Sequence, residues 1–112
     1  MQFSFTHPGK PTPKGRPRFS RNGGVYTPAA TKLAEEDLLL QYIGLHGPEF
    51  LGPVGVDLRF TSEETHVLIY DVDWTSNLRG DLDNYEKLVL DALDKTAWKN
   101  DRQVVSMRAV KS

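Results

Sequence analysis

The chain has 112 residues, which is enough for one domain with a modest hydrophobic core. It contains no cysteine, which excludes disulfides and thiolate metal sites and is compatible with a reducing cytoplasm. No apolar run approaches the ~20 residues that a membrane span needs, and the N-terminus lacks the apolar region of a signal peptide. We therefore expect a single cytoplasmic domain, residues 1–112, without membrane contact.

The net charge of −1 hides an asymmetry along the chain. Residues 1–32 carry 6 of the 14 basic residues and no acidic residue. The other 8 basic residues stand against all 15 acidic ones, which gives the remainder a net charge of −7. This asymmetry favours a basic DNA-contacting arm beside an acidic body, and the alternative is a solvated basic tail.

The N-terminal part is predicted to begin with a strand and to continue as the basic arm, which we define as residues 8–26. Phe3 and Phe5 alternate with polar residues, which predicts a strand over residues 2–6. Three of the seven prolines lie within residues 10–18, which excludes a helix there and leaves the cations spaced along an extended strip. Such a strip suits phosphate contacts. The expected DNA-contacting residues are Lys10, Lys14, Arg16, Arg18 and Arg21.

A hairpin, a helix and two strands are predicted next. Asn22-Gly23-Gly24 indicates the hairpin turn. Thr27 as N-cap and Pro28 at the first helical position predict a helix that runs to about Leu45. Alternating apolar residues predict strands over residues 54–61 and 67–72.

A second helix is predicted after Gly80. Asp83 is a favourable N-cap residue, and Glu86 three positions later completes a capping box. Apolar residues then recur at helical spacing, which predicts a buried face. That face consists of Tyr85, Leu88, Val89, Ala92 and Leu93.

Charged residues form a second stripe on the same predicted helix. Asp83, Lys87 and Asp91 recur every four residues and so share one side. Asp81 lies two residues before Asp83. If the chain enters the helix in extended form, the two carboxylates point the same way, roughly 6–7 Å apart at the backbone.

A third carboxylate, Asp101, follows a short loop and precedes an apolar run at residues 104–110, which we interpret as a strand. Mg²⁺ prefers such oxygen ligands and keeps several waters. A bound metal reverses the repulsion between carboxylates and an anionic phosphodiester, and it helps to activate water. Lys87, one turn after Asp83, would stabilise charge that develops on the phosphate. The pattern therefore indicates a metal site for phosphodiester cleavage.

Structural explanations compete with this interpretation. Asp81 and Asp83 would serve equally to cap a helix and to interact with its dipole. Lys87 and Asp91 would then form a surface pair. Asp71 and Asp73 form a rival acidic pair upstream, with no basic residue after them.

Several segments, in the same order along the chain, match the motifs of a known family. They are Pro13-Lys14-Gly15-Arg16-Pro17-Arg18, Tyr26-Thr27-Pro28-x-x-Thr31, Gly80-Asp81-Leu82-Asp83-Asn84 with Lys87, Leu90-Asp91-Ala92-Leu93, and Asn100-Asp101-x-Gln103-Val104. Together they closely resemble the RusA family of Holliday-junction resolvases, which occur in bacteria and their phages. The host of this chain, a bacterial or a phage-infected cell, follows from that resemblance alone.

The resemblance implies a Mg²⁺-dependent homodimer that nicks two opposing strands of a four-way DNA junction, with Mn²⁺ as a possible substitute. It assigns the catalytic and metal-binding carboxylates to Asp81, Asp83 and Asp101 and the essential lysine to Lys87. Asp91 matches a further acidic position with a supporting role.

The chain departs from the family pattern in two places. Members often carry two adjacent aspartates where this chain has Asn100-Asp101, which leaves Asn100 to orient a neighbour or contact DNA. Residues 66–77 show no clear family pattern.

The order of predicted elements indicates a small α/β or α+β domain, RusA-like, with a mixed sheet and two packed helices. A symmetric dimer would match the two-fold symmetry of a four-way junction. Two other functions stay open: a less selective nuclease for branched DNA, and a DNA-binding module without catalysis.

Overall fold

The computed structural model describes residues 1–15 and 18–112, with positions 18 and 19 as backbone only. The expected DNA-contacting residue Arg16 lies outside the described residues. The chain divides into two compact units, Met1–Val72 and Asp73–Ser112, which are described in turn.

The first unit is built on a three-stranded antiparallel sheet. Its central strand is β5 (Glu64–Asp71), flanked by β1 (Gln2–Pro8) and β4 (Val54–Phe60). Because side chains alternate across a strand, the in-register apolar residues of the three strands share one face; they are Phe3 and Phe5, Val67 and Ile69, and Val56 and Leu58. Val67 is buried at the centre of that face. The mixed sheet expected from the sequence is antiparallel in both described pairings, because β1 returns against β5 and β5 forms a hairpin with β4.

Helix α1 (Ala29–Gly44) packs on β1 through aromatic contacts. The Tyr42 ring meets Phe3 edge-on, with centroids 5.4 Å apart, and lies 5.8 Å from Phe5. Such pairs add to the stabilisation that comes from burying the rings. The predicted packing of the first helix is therefore observed.

The start of α1 differs from the prediction. Pro28, not Thr27, is the N-cap, because its extended backbone (ψ 142°) already offers its carbonyl to the N–H of Lys32. No side chain caps this helix. Thr31, only 4% exposed, instead accepts a 2.9 Å hydrogen bond from the N–H of Gly15, which ties the basic arm to the helix.

The predicted hairpin is present within the arm. It joins β2 (Arg18–Phe19) to β3 (Val25–Tyr26). Gly23 has φ +82°, a backbone conformation that glycine adopts at little cost and most other residues do not. The Asn-Gly-Gly signal thus placed the turn correctly.

The second unit contains helix α2 (Leu82–Leu93) and a 3-10 helix (Asp101–Gln103). Residues 104–110 have no regular structure, so the strand predicted there is absent; they form no ladder with any described strand. The predicted buried face of α2 is also largely exposed, with Leu88 71% and Val89 53% accessible. A unit this short has little interior in which to bury them.

The fold class is confirmed as a small α+β structure with two helices and a three-stranded sheet. Within the described ranges, no helix combines the length and apolarity needed to span a membrane.

Candidate functional site

The chain enters α2 in extended form at Asp81 (φ −69°, ψ 143°). The Asp81 carbonyl accepts the N–H groups of Asn84 (3.1 Å) and Tyr85 (3.4 Å), so Asp81 is the N-cap. The sequence prediction that Asp83 is the N-cap, with Glu86 completing a capping box, is therefore wrong. Asp83 lies in the first turn of the helix, one residue after Leu82.

The capping explanation for the two carboxylates loses support from this geometry. The side chain of Asp81 makes no capping hydrogen bond, and both Asp81 and Asp83 are exposed. Lys87 and Asp91 are exposed too, and neither takes part in an ion pair among the described residues. The two carboxylates at the start of α2 and the ammonium of Lys87 are thus available to solvent and ligands.

Two hydrogen bonds anchor the backbone of Gly80, the residue before Asp81. The N–H of Gly80 donates to the Tyr85 hydroxyl at 3.2 Å, and the Gly80 carbonyl accepts from Lys111 Nζ at 2.9 Å. A Cβ at position 80 would lie 2.9 Å from the ring atom Cε2 of Tyr85. This close approach explains the glycine, and it leaves Tyr85 with a role beyond the apolar face to which the sequence assigned it.

Asp101 and Asn100 lie together at the 3-10 helix. The Trp98 indole N–H donates to Asp101 Oδ1 at 2.8 Å, which fixes one carboxylate oxygen. Asn100 is the N-cap, and its side chain accepts the N–H of Arg102 at 2.8 Å. Gln103 completes a capping box with it. Asn100 therefore stabilises the start of the 3-10 helix that carries Asp101.

The structure brings Asp81 and Asp83 to one helix end but does not assemble all three carboxylates. Across residues 1–15 and 18–112, no group of three or more potential ligands is close enough to hold a metal. The donor set at the start of α2 nevertheless fits Mg²⁺, which typically uses one or two carboxylates and completes its shell with water and substrate phosphate. Exposure of both side chains leaves room for those further ligands.

A groove of about 780 Å³ in the second unit is distinct from these residues. Its lining is mainly apolar and includes Tyr85, Val89, Trp98 and Met107, but none of the candidate carboxylates or Lys87. Large apolar pockets are often binding sites. This groove, however, lacks the residues that the sequence analysis predicts for metal binding and phosphodiester cleavage.

The basic arm presents exposed cations in its described part. Lys10 and Arg21 are exposed, and Lys14 Nζ lies 3.4 Å from Glu35 Oε1 of α1. Both partners of that pair are mostly exposed, so its interaction is weak. Arg18 contributes backbone to β2. The arm therefore carries cations accessible to phosphate.

Lys111 belongs to the candidate site, although the sequence did not predict it. It contacts Gly80 from 31 positions away, and no spacing rule connects positions so far apart. The contact of Tyr85 with Gly80 had a signal, since a glycine five residues before an aromatic residue in a helix start permits a close approach.

Comparisons with known proteins agree with the motifs. The model of the family described as "Endodeoxyribonuclease RusA" matches residues 8–112. The uncharacterized protein YqaN of Bacillus subtilis (strain 168) is 34% identical over 127 aligned positions, which cover 97% of this chain and 86% of YqaN. No solved structure matches the chain. With nearly its whole length matched by the family model, the chain belongs to the RusA endodeoxyribonuclease family.

Proposed function

We propose that this chain is a Mg²⁺-dependent, structure-selective endonuclease that resolves four-way DNA junctions in recombination and repair. It would do so by paired hydrolysis of phosphodiester bonds in opposing strands. Family membership supports endodeoxyribonuclease activity on junction DNA. The observation that carries the metal-dependent part is the pair of exposed carboxylates, free of capping bonds, at the start of α2.

Asp81, Asp83 and Asp101 are the proposed metal ligands. Bound Mg²⁺, or Mn²⁺ in its place, would polarise the scissile phosphate and lower the pKa of a bound water. Asp81 is the N-cap of α2 and Asp83 lies in its first turn. The Trp98 indole N–H donates to the Asp101 carboxylate and orients it. Because a Mg²⁺ site needs only one or two protein carboxylates, Asp81 and Asp83 would be sufficient to hold the ion, and the role of Asp101 rests on the family motif.

Lys87 lies one helical turn after Asp83 and makes no ion pair with any described residue. An ammonium that is not neutralised by a carboxylate can approach a phosphate directly. Lys87 would stabilise the charge that develops on the phosphoryl oxygens in the transition state. Asp91 lies one further turn along the helix and is exposed. It would attract the Lys87 ammonium only weakly, so it would help to orient Lys87 without neutralising its charge.

The basic arm would hold the DNA through Lys10, Lys14, Arg16, Arg18 and Arg21. Contacts to phosphate position a duplex without reading its sequence, which suits an enzyme selected for branched structure. Two copies of the chain would supply the two active sites that paired nicking requires, so we propose a homodimer. Its place of action would be the cytoplasm of a bacterium or of a phage-infected cell.

The test compares labelled four-way junction, flap and linear duplex DNA, each incubated with Mg²⁺ and with EDTA. Symmetric nicks in opposing strands of the junction alone, dependent on Mg²⁺, are the expected result. Cleavage of flaps at the same rate would instead establish a less selective branched-DNA nuclease. Sedimentation with and without junction DNA tests the dimer, and a monomer in both conditions would contradict it.

A further inference from the structure

The segment that leads into Asp81 is fastened to residues 111–112. The Trp74 indole N–H donates to the Lys111 carbonyl at 3.2 Å, and the Ser76 hydroxyl donates to the Ser112 carbonyl at 3.1 Å. The Lys111 ammonium donates in the opposite direction, to the Gly80 carbonyl at 2.9 Å. Three hydrogen bonds thus join the same two residues to residues 74–80.

Gly80 is where this attachment acts on the candidate site. Its N–H donates to the Tyr85 hydroxyl and its carbonyl accepts from Lys111. The N–H belongs to the peptide plane before Gly80, and the carbonyl belongs to the plane that Gly80 shares with Asp81. Because peptide units are planar, anchoring both fixes the backbone direction at which Asp81 begins. On the other side of Asp81, its carbonyl accepts the N–H groups of Asn84 and Tyr85, so hydrogen bonds restrict the backbone on both sides of the Asp81 side chain.

We propose that Lys111 is a positioning residue for the metal-binding carboxylate of Asp81. It acts through the Gly80 carbonyl and does not itself bind metal or DNA. This inference rests on the proposed metal-dependent nuclease function. Hydrogen bonds from charged donors are the stronger ones, and Lys111 is only partly exposed, so the contact is well placed to restrict the loop.

The attachment allows a selective perturbation. The Trp74 and Ser76 bonds use backbone carbonyls as acceptors, so Lys111→Met removes only the ammonium bond to Gly80. Lys111→Arg keeps a charged donor, and Lys111→Gln keeps an uncharged one. Lys95→Met is the matched control, because Lys95 is an exposed cation of the same unit that makes no side-chain contact with residues 74–85 among the described bonds.

The first readout needs neither metal nor DNA. Amide hydrogen exchange, followed on peptides that cover residues 79–83, should accelerate in Lys111→Met and stay unchanged in Lys95→Met. The second readout is the Mg²⁺ dependence of junction cleavage. Lys111→Met should raise the Mg²⁺ concentration for half-maximal cleavage about tenfold, the scale of one charged hydrogen bond, with the maximal rate much less affected. Junction affinity in EDTA should equal that of the native chain.

Lys111→Arg should restore most of the Mg²⁺ response, because a charged donor is present again. A Lys111→Met variant with native exchange and native Mg²⁺ dependence would overturn the proposal. If that variant does not fold, Lys111→Ala, which also lacks a side-chain donor for the Gly80 carbonyl, would overturn it equally by showing unchanged exchange at residues 79–83. A native chain that cleaves nothing in any divalent ion would refute the proposed function, while the exchange experiment would still decide whether Lys111 holds the loop.

Discussion

Replacing Asp83 by asparagine should separate its catalytic role from a structural one. A side chain that caps a helix contributes ~0.5–2 kcal/mol to the free energy of unfolding. That contribution is not available at position 83, because Asp81 is the N-cap and neither aspartate makes a side-chain capping bond. What remains is the interaction of an exposed charge with the helix dipole, worth about 0.3–1 kcal/mol. Relief of repulsion from Asp81 offsets part of that loss.

We therefore expect Asp83→Asn to lower the free energy of unfolding by less than about 1 kcal/mol, or roughly 4 °C in Tm for a domain of this size. Junction cleavage in Mg²⁺ should be abolished, and junction affinity should be retained or improved because a negative charge near phosphate is lost. Urea unfolding, cleavage and binding would be measured on the same preparation. A loss above about 2 kcal/mol, with activity falling only in proportion to the unfolded fraction, would refute this reasoning and restore the capping explanation.

The remaining predictions concern the loop and the basic arm. Gly80→Ala should displace the Tyr85 ring, since the new Cβ would lie 2.9 Å from it. The rate of junction cleavage should then fall by a larger factor than the loss of folded protein explains. Gly44→Ala is the control, because nothing lies within 4 Å of its Cβ, and its effect on the free energy of unfolding should be neutral or slightly stabilising. Glu35→Gln releases Lys14 from its ion pair and should tighten junction binding about two- to fivefold, the equivalent of one exposed pair, whereas weaker binding would show that the pair orders the arm. If the arm makes about five phosphate contacts per protomer, log affinity should fall with log salt at a slope near −4.5 per protomer, or about −9 for the proposed dimer. A flat response would exclude the arm from the interface.

Patterns within a few neighbouring residues correctly predicted the first strand and the hairpin. Alternation at Phe3 and Phe5 located β1, and the glycine turn located the hairpin. The predicted N-cap of each helix was wrong because a second residue that suits a helix start lies one or two positions away. Whether Thr27 or Pro28, Asp81 or Asp83, serves as N-cap is decided by the backbone conformation, which composition does not specify.

Other features depend on contacts between distant positions. The antiparallel arrangement of the sheet follows from strand pairing, and the contact of Lys111 with Gly80 spans 31 positions. The apolar face of α2 was correctly recognised as a helical stripe, but periodicity states only which residues share a face. It does not state what covers that face, and Leu88 is exposed in the structure. Residue types and spacing at positions 81, 83 and 87 predict a metal site, and the structure adds that all three side chains are exposed.

The most direct test of a metal-dependent carboxylate site is cleavage of a labelled four-way junction by the native chain and by Asp83→Asn. Each protein is assayed in Mg²⁺ and in EDTA. Glu36→Gln, which neutralises an exposed carboxylate of α1, serves as the control. We expect paired nicks from the native chain and the control in Mg²⁺ only, and none from Asp83→Asn, although all three proteins bind the junction. Junction binding without cleavage by the native chain in Mg²⁺ or Mn²⁺, or cleavage by Asp83→Asn at the native rate, would contradict it.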